Sequence, residues 1–375
     1  MTTALKFRPD PDRSATLPAS YYIDPAIYER EKEAIFFKTW QFVGFAFDLA
    51  NPGDYITADI LDQKIMVTRG KDKKLRAFYN VCMHRGHILA EGKGNKAIFT
   101  CPFHAWSYDA TGALKAAGNA ENVHGFRLED FGLAEIKVET LGPLVLVNLD
   151  PNAAALGPQA TGLAEHWRTN VKYFDRLTLR HRQDYQVKCN WKLIADQNEC
   201  YHCPVIHAGV TTVQGGPAAW ITTEHAIWST HLIRANEDVT QGRLATLKAP
   251  HDPDKWQNEA FIWYLWPNLI FVTHQAPTNF KILHFLPTGV ESSIETLYSF
   301  TLDPPTADDT ANIERFATVV QGQDLEAMEK QQTGLHARGY KRGRLMVDKE
   351  RSWRSEHSVH HFDKMVWEAL NGPNY

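Results

Sequence analysis

Cys82 and His84 are separated by one residue, Cys101 and His104 by two, and sixteen residues lie between the pairs. Two thiolates and two imidazoles in this pattern suit a mixed-ligand [2Fe–2S] cluster, in which the cysteines hold one iron and the histidines the other. Exchanging two anionic thiolates for neutral imidazoles raises the reduction potential above that of an all-cysteine cluster. Such a centre takes an electron from a stronger reductant and passes it on. Tetrahedral zinc competes for the same donors. Zinc knuckles, however, usually group cysteines in one half and histidines in the other, whereas each half here carries one of each.

A second constellation is Glu199-Cys-Tyr-His202-Cys-Pro-Val-Ile-His207. At roughly 100° per residue, His202 and His207 project about 140° apart on a helix, so only a helix broken or loosened at Pro204 brings both imidazoles to one ion. Two histidines and one carboxylate with open positions form the facial triad of mononuclear non-haem Fe(II) oxygenases. The carboxylate must come from downstream, where Asp324, Glu326 and Glu329 are candidates. Glu326 and Glu329 suit helical ion pairs with neighbours such as Lys330. The run Phe261-Ile-Trp263-Tyr264-Leu-Trp266 alternates like a strand, and one of its faces could line a substrate pocket or simply pack in the core.

These side chains need a frame. Asp54–Ile60, Lys64–Arg69, Leu75–Val81 and Pro143–Leu149 read as strands of a small antiparallel β domain over residues 38–155. An N-terminal segment, 1–37, carries a helix capped by Asp24 with Pro25 at its first position and Ile27, Ala34, Ile35 and Phe37 for burial. Residues 156–375 form the second main domain. Its expected elements are a helix near Leu163–Phe174, a strand near Leu177–Cys189, a helical stretch Trp191–His207, strands between Phe261 and Leu302, a long helix after Asp303, and a last helix Ser355–Leu370. Residues 208–260 carry the weakest pattern. The chain has 375 residues with 40 basic and 44 acidic side chains, which leaves no nucleic-acid footprint. No apolar run of membrane-spanning length and no secretion signal is evident, and five cysteines give no disulfide framework, so a reducing cytoplasm is the expected setting.

The loops Cys82-Met-His84-Arg-Gly-His87 and Cys101-Pro-Phe-His104-Ala-Trp-Ser-Tyr108 resemble the Rieske domain of the ring-hydroxylating oxygenase family. Cys189-Asn-Trp191-Lys-Leu ahead of Glu199-x2-His202-x4-His207 resembles the α-subunit signature of the same family, and Asp324 before Gln332-Thr-Gly334-Leu335 resembles the segment whose aspartate completes the iron triad. The resemblance implies an α+β chain, with a Rieske domain followed by an antiparallel sheet wrapped around a long helix (helix-grip, START-like). It implies a [2Fe–2S] cluster on Cys82, His84, Cys101 and His104, Fe(II) on His202, His207 and Asp324, and O2 as co-substrate. It also implies that Glu199 bridges the Rieske centre of one subunit to the iron of the next in a homotrimer, the centres of one chain being too far apart for useful transfer.

With no Gly-x-Gly-x-x-Gly motif in the sequence, electrons from NAD(P)H are expected through a separate flavin/iron–sulfur reductase or a ferredoxin. Glu at position 199, together with Gly-Tyr-Lys-Arg-Gly-Arg344 and Ser355-Glu-His-Ser-Val-His-His361, resembles the branch acting on carnitine- and betaine-like quaternary ammonium compounds, by C–N cleavage or demethylation. Asp196 stands where those relatives usually show Asn, and neither it nor Cys200 or Cys203 receives a role. A trimethylammonium group is recognised by aromatic faces, which makes Phe261, Trp263 and Tyr264 substrate candidates. An aromatic-ring hydroxylase and a simple Rieske electron carrier are the other readings.

Overall fold

The computed structural model describes residues 7–199, 203–207, 220–234, 253–257, 259–352 and 355–373. The chain splits into two compact units, Lys32–Gln159 and Met1–Glu31 with Ala160–Tyr375.

The smaller unit is antiparallel β. Strands β1 (Gln41–Phe45), β2 (Asp54–Ile60), β3 (Gln63–Arg69), β4 (Leu75–Tyr79), β5 (Lys93–Asn95), β9 (Glu135–Leu141) and β10 (Leu144–Asn148) form one sheet in the order β1-β10-β9-β4-β3-β2-β5. β6 (Ile98–Thr100), β7 (Ser107–Asp109) and β8 (Leu114–Ala116) form a second, three-stranded one. β10 lies between two partners and is buried along its whole length, which its sequence Leu-Val-Leu-Val-Asn satisfies. Tyr55, Met66, Phe78, Phe99, Trp106, Tyr108, Leu114 and Leu133 pack around Cys82 and Cys101. Gly112 is fixed there twice over: its φ is +81°, and a Cβ would sit 2.4 Å from the Phe78 ring.

The larger unit is built on a second seven-stranded antiparallel sheet. Its strands are β11 (Thr178–Val187), β12 (Trp220–Glu224), β13 (Trp228–Arg234), β15 (Glu259–Leu265), β16 (Leu269–Thr273), β18 (Phe280–Gly289) and β19 (Ser292–Thr301), ordered β11-β19-β18-β16-β15-β13-β12. The short β14 (Trp256–Gln257) and β17 (Ala276–Pro277) pair separately. Side chains alternate between the faces, and the register sorts them. Tyr185, Glu295 and Phe285 share one face, and Tyr264 and Ser229 lie on that face too. A helix over residues 307–335 covers it, since the Tyr185 hydroxyl donates to the Ala317 carbonyl at 2.7 Å and Gln321 donates to Glu295 at 2.5 Å. The opposite face packs Phe271 on Trp167 of the helix Leu163–Asn170, ring centroids 4.6 Å apart.

Helix 307–335 starts at Thr306, whose side chain accepts from the Asp309 amide while Asp309 accepts from Thr306, a reciprocal capping box. Phe316–Val320 is a π-helical turn within it, a form that re-aims the residues that follow and often marks functional sites. Beyond the turn Gln321, Met328, Gln332 and Leu335 are buried as one stripe.

Two expectations change. The N-terminal helix Pro25–Glu31 passes into a π turn, Lys32–Phe36, which shifts the inward positions by one residue, so Ile35 and Phe36 are buried while Phe37 is only partly covered. The stretch expected to be helical from Trp191 to His207 ends as a helix at Ala195, turns through Asp196–Glu199, and is helical again at Cys203–Ile206. Pro204 lies inside that second turn rather than at the break. The Asn198 amide, reaching Ser229 Oγ at 3.2 Å, holds the intervening turn to the sheet.

The helix Trp191–Ala195 is anchored by a buried ion pair. Lys192 Nζ donates to Glu31 Oε1 at 2.5 Å, both side chains are fully enclosed, and Trp191 Nε1 donates to the other carboxylate oxygen at 2.9 Å. Removing one partner strands a buried charge, so Glu31→Gln should destabilise the protein by roughly 3–5 kcal/mol, whereas Glu31→Leu with Lys192→Met should recover most of that loss. Urea unfolding midpoints followed by tryptophan fluorescence decide between the two outcomes.

Candidate metal centres

Both cysteine loops of the smaller unit fold into the same closed turn. Gly86 N–H donates to Cys82 O at 3.0 Å and Cys82 N–H to His87 O at 2.8 Å. Ala105 N–H donates to Cys101 O at 2.9 Å and Cys101 N–H to Trp106 O at 2.8 Å. The fifth residue of each loop is left-handed, Gly86 at φ +76° and Ala105 at φ +57°. The turns bury both cysteines and leave both histidines at the surface. His84 and His104 rings lie edge to face at 4.7 Å, and Trp106 stacks under His84 at 4.8 Å.

Among the described residues no three His, Cys, Asp or Glu side chains gather around a single point; the four donors sit as a buried sulfur pair and an exposed imidazole pair. Two sulfurs inside and two imidazoles at the surface fit a mixed-ligand [2Fe–2S] cluster, in which the cysteines would hold one iron and the histidines the other and which would supply one-electron transfer. Desolvation, with His84 and Arg85 adding repulsion, lowers the pKa of His104 and so favours the neutral, ligating form.

Several residues that the motif reading passed over serve this centre. Tyr108, fully buried, places its hydroxyl 3.4 Å from Cys82 Sγ and accepts the Met83 amide at 3.0 Å. Burial, then the bond to Cys82, keeps the phenol protonated, its pKa well above the usual value. Asn80 pins the first loop, its amide donating to Ala90 O while its oxygen accepts the Leu89 and Ala90 amides. A buried Asn just ahead of the cysteine loop was the available signal.

In the larger unit His207 and Asp324 meet. His207 Nδ1 lies 2.8 Å from Gln323 Oε1, and Nε2 lies 3.1 Å from Asp324 Oδ1. Donation of Nδ1–H to Gln323 leaves the Nε2 lone pair facing a carboxylate oxygen. Two acceptors so close need a cation or a proton between them, which is how a metal-ligating histidine is oriented. His207 is buried. Glu326 instead pairs with Lys330 at 2.5 Å on an exposed face, and Glu329 accepts the Lys188 amide at 3.1 Å. Glu199 is buried. His202 and Cys200 lie outside the described residues. Glu295, enclosed on the sheet face below Asp324, was missed because nothing in its strand distinguishes it; burial first and the Asp324 charge second push it up to about 8.

The aromatic candidates divide between faces. Phe261 and Trp263 stack at 4.8 Å on the side of the helix Leu163–Asn170, where Trp263 Nε1 donates to His166 Nδ1 at 2.9 Å. Tyr264 lies on the face of Glu295, edge-on to Phe362 at 5.6 Å.

The Rieske [2Fe-2S] domain model matches residues 39–127, and the ring hydroxylating alpha subunit (catalytic domain) model matches residues 174–372. The carnitine monooxygenase oxygenase subunit of Acinetobacter baumannii is 35% identical over 365 residues, 96% of this chain and 96% of that one. The chain belongs to the ring-hydroxylating Rieske oxygenase α-subunit family. Within it, the choline monooxygenase of Beta vulgaris is 29% identical over 96% of this chain and 78% of its own. The quaternary ammonium Rieske monooxygenase CntA in complex with L-carnitine superposes with a TM-score of 0.85 at 31% identity, covering 99% of this chain and 100% of that one. Naphthalene 1,2-dioxygenase from Rhodococcus, TM-score 0.80 at 18% identity, shares the fold. In this oxygenase family the Rieske domain carries the cluster and the catalytic domain the mononuclear iron.

Hydrogen bonds to cluster sulfurs raise the potential by stabilising the reduced form. Tyr108→Phe removes one such bond, so the Rieske midpoint potential should fall while the reduced-cluster paramagnetic resonance signal persists. Protein-film voltammetry reads the shift, and an unchanged potential would show that the phenol does not donate to the sulfur.

Proposed function

We propose that this oxygenase hydroxylates a carnitine- or betaine-like quaternary ammonium compound with O2, leading to C–N cleavage or demethylation. The observation that carries the reading is its likeness along the whole length to carnitine monooxygenase oxygenase subunits, at 35% identity over 96% of both chains. In this reading Cys82, His84, Cys101 and His104 hold the cluster, and His202, His207 and Asp324 hold Fe(II). The Fe(II) triad supplies open positions for O2 beside the substrate. Gln323 fixes the His207 tautomer. Glu199 links the centres of neighbouring subunits in a homotrimer by accepting N–H bonds from a histidine of each. NAD(P)H reduces a separate flavin/iron–sulfur reductase or ferredoxin that serves the Rieske domain, and the cytoplasm is the setting. Among the described residues no helix is long and apolar enough to cross a membrane. Of the three aromatic candidates Tyr264 shares the sheet face of Glu295, whereas Trp263 is committed to His166 on the other side.

With a reductase of this class and NADH, O2 uptake should match product formation for carnitine, γ-butyrobetaine or choline and stay uncoupled or absent for benzoate and naphthalene. A cation over aromatic faces gains about 0.5–2 kcal/mol, so an isostere with tert-butyl in place of trimethylammonium should bind roughly 2- to 30-fold more weakly. Coupled turnover of an aromatic acid with every quaternary amine inert would replace this reading with the aromatic-ring hydroxylase. Glu199→Gln removes the charge and keeps the size. Both metal centres should survive in it and dithionite should still reduce the cluster, but reoxidation of the cluster by O2 and substrate should slow sharply in stopped-flow absorbance.

A further inference from the structure

Phe316–Val320 contains neither Pro nor Gly to force an irregular turn, so the cause of this π turn lies in what touches it. At its end the Gln321 N–H donates to the Phe316 carbonyl, five residues back, where an α-helix would use the Ala317 carbonyl, four back. Ala317 O accepts the Tyr185 hydroxyl at 2.7 Å instead. The side chain of the same Gln321 donates to Glu295 Oε1 at 2.5 Å. Tyr185 and Glu295 are direct partners across β11 and β19. One cross-strand pair therefore grips both the carbonyl and the residue whose N–H would have to meet for the turn to become α-helical.

A carboxyl is otherwise unfavourable at position 295. The side chain is completely enclosed, and its second oxygen has no hydrogen-bond partner among the described residues. Burial, then the Asp324 charge, pushes its pKa up to about 8, so it keeps its proton at neutral pH. What it offers the helix is the acceptor for Gln321. Ala317 and Gln321 are buried as well, which shields both bonds from water. Gln323 and Asp324 follow closely after Gln321 and reach His207 at 2.8 and 3.1 Å. Loss of the π turn would rotate them by about 100° and slide them by about 1.5 Å along the axis, which takes both away from the imidazole.

We propose that Tyr185 and Glu295 are positioning residues that hold the π turn against relaxation to α-helix and so keep Gln323 and Asp324 on His207. The consequence for iron rests on the oxygenase reading above. The clamp itself does not, because it is complete in the contacts between β11, β19 and the helix.

Two measurements on the full-length protein, with the Rieske cluster in place and the second iron removed, separate these parts. The double variant Glu295→Leu, Gln321→Leu removes the bond without stranding a buried polar group, so its thermal midpoint should stay near that of the unsubstituted protein. Its amide hydrogen exchange over residues 317–324 should rise on the order of tenfold, as should that of Tyr185→Phe. On Fe(II) titration the double variant should bind the mononuclear iron on the order of 10- to 100-fold more weakly, with the Rieske signal unchanged. Glu295→Gln, whose amide oxygen still accepts from Gln321, should match the unsubstituted protein in both measurements. Unaltered exchange in the double variant overturns the clamp, and raised exchange with unaltered iron affinity overturns its link to the metal. A Glu295→Gln protein as impaired as the double variant also overturns the proposal, because the carboxyl and not its bond to Gln321 would then be what matters. If the unsubstituted protein takes up no iron beyond the cluster, the oxygenase reading fails and the exchange data alone judge the clamp.

Discussion

The contact between His207 and Asp324 makes the heaviest demand on this fold. An imidazole nitrogen and a carboxylate oxygen 3.1 Å apart, the two acceptors of the proposed iron site, must be held together by segments far apart in the sequence. The sheet does this by presenting one face to helix 307–335, with Tyr185 bonded to Ala317 within its π turn and Glu295 to Gln321 just after it. Just after the π turn, Gln323 and Asp324 both reach His207, and Gln323 sets which imidazole nitrogen faces Asp324. The buried ion pair between Lys192 and Glu31 ties the helix that leads into Glu199 to the N-terminal segment.

The smaller unit solves a different problem with similar economy. Under the proposed ligation, thiolates gain from a dry, close-packed site, and histidines that hand electrons onward must reach the surface. Two identical closed turns, each with a left-handed fifth residue, separate these requirements within a few residues: Cys82 and Cys101 go into the core beside Tyr108, and His84 and His104 go outward. Trp106 under His84 limits the freedom of an otherwise exposed ring.

Much of this was legible in the residues because the chemistry is local. Cys and His spacing announced the cluster, and the strand patterns of β2, β3 and β10 and the turn residues from Asp303 gave the frame. What could not be read depends on register or on distant partners. The π turns at Lys32–Phe36 and Phe316–Val320 have no sequence signature and shift burial by one residue, which is why Phe36 and not Phe37 is buried. The break at Asp196–Glu199 follows from Asn198 bonding a strand that arrives later. Glu295, Tyr108 and Asn80 act through tertiary contacts, and the division of Trp263 from Tyr264 follows from strand alternation once the covering helices are known.

The proposed activity needs two chemically distinct iron centres in separate units of one chain. Iron and acid-labile sulfide analysis of the purified protein and of Asp324→Ala measures this directly. About three irons and two sulfides per chain are predicted for the unsubstituted protein, and about two of each, with an undisturbed Rieske paramagnetic resonance signal, for the variant. Zinc in place of iron, or loss of the Rieske signal together with the single iron in a folded Asp324→Ala protein, would contradict it.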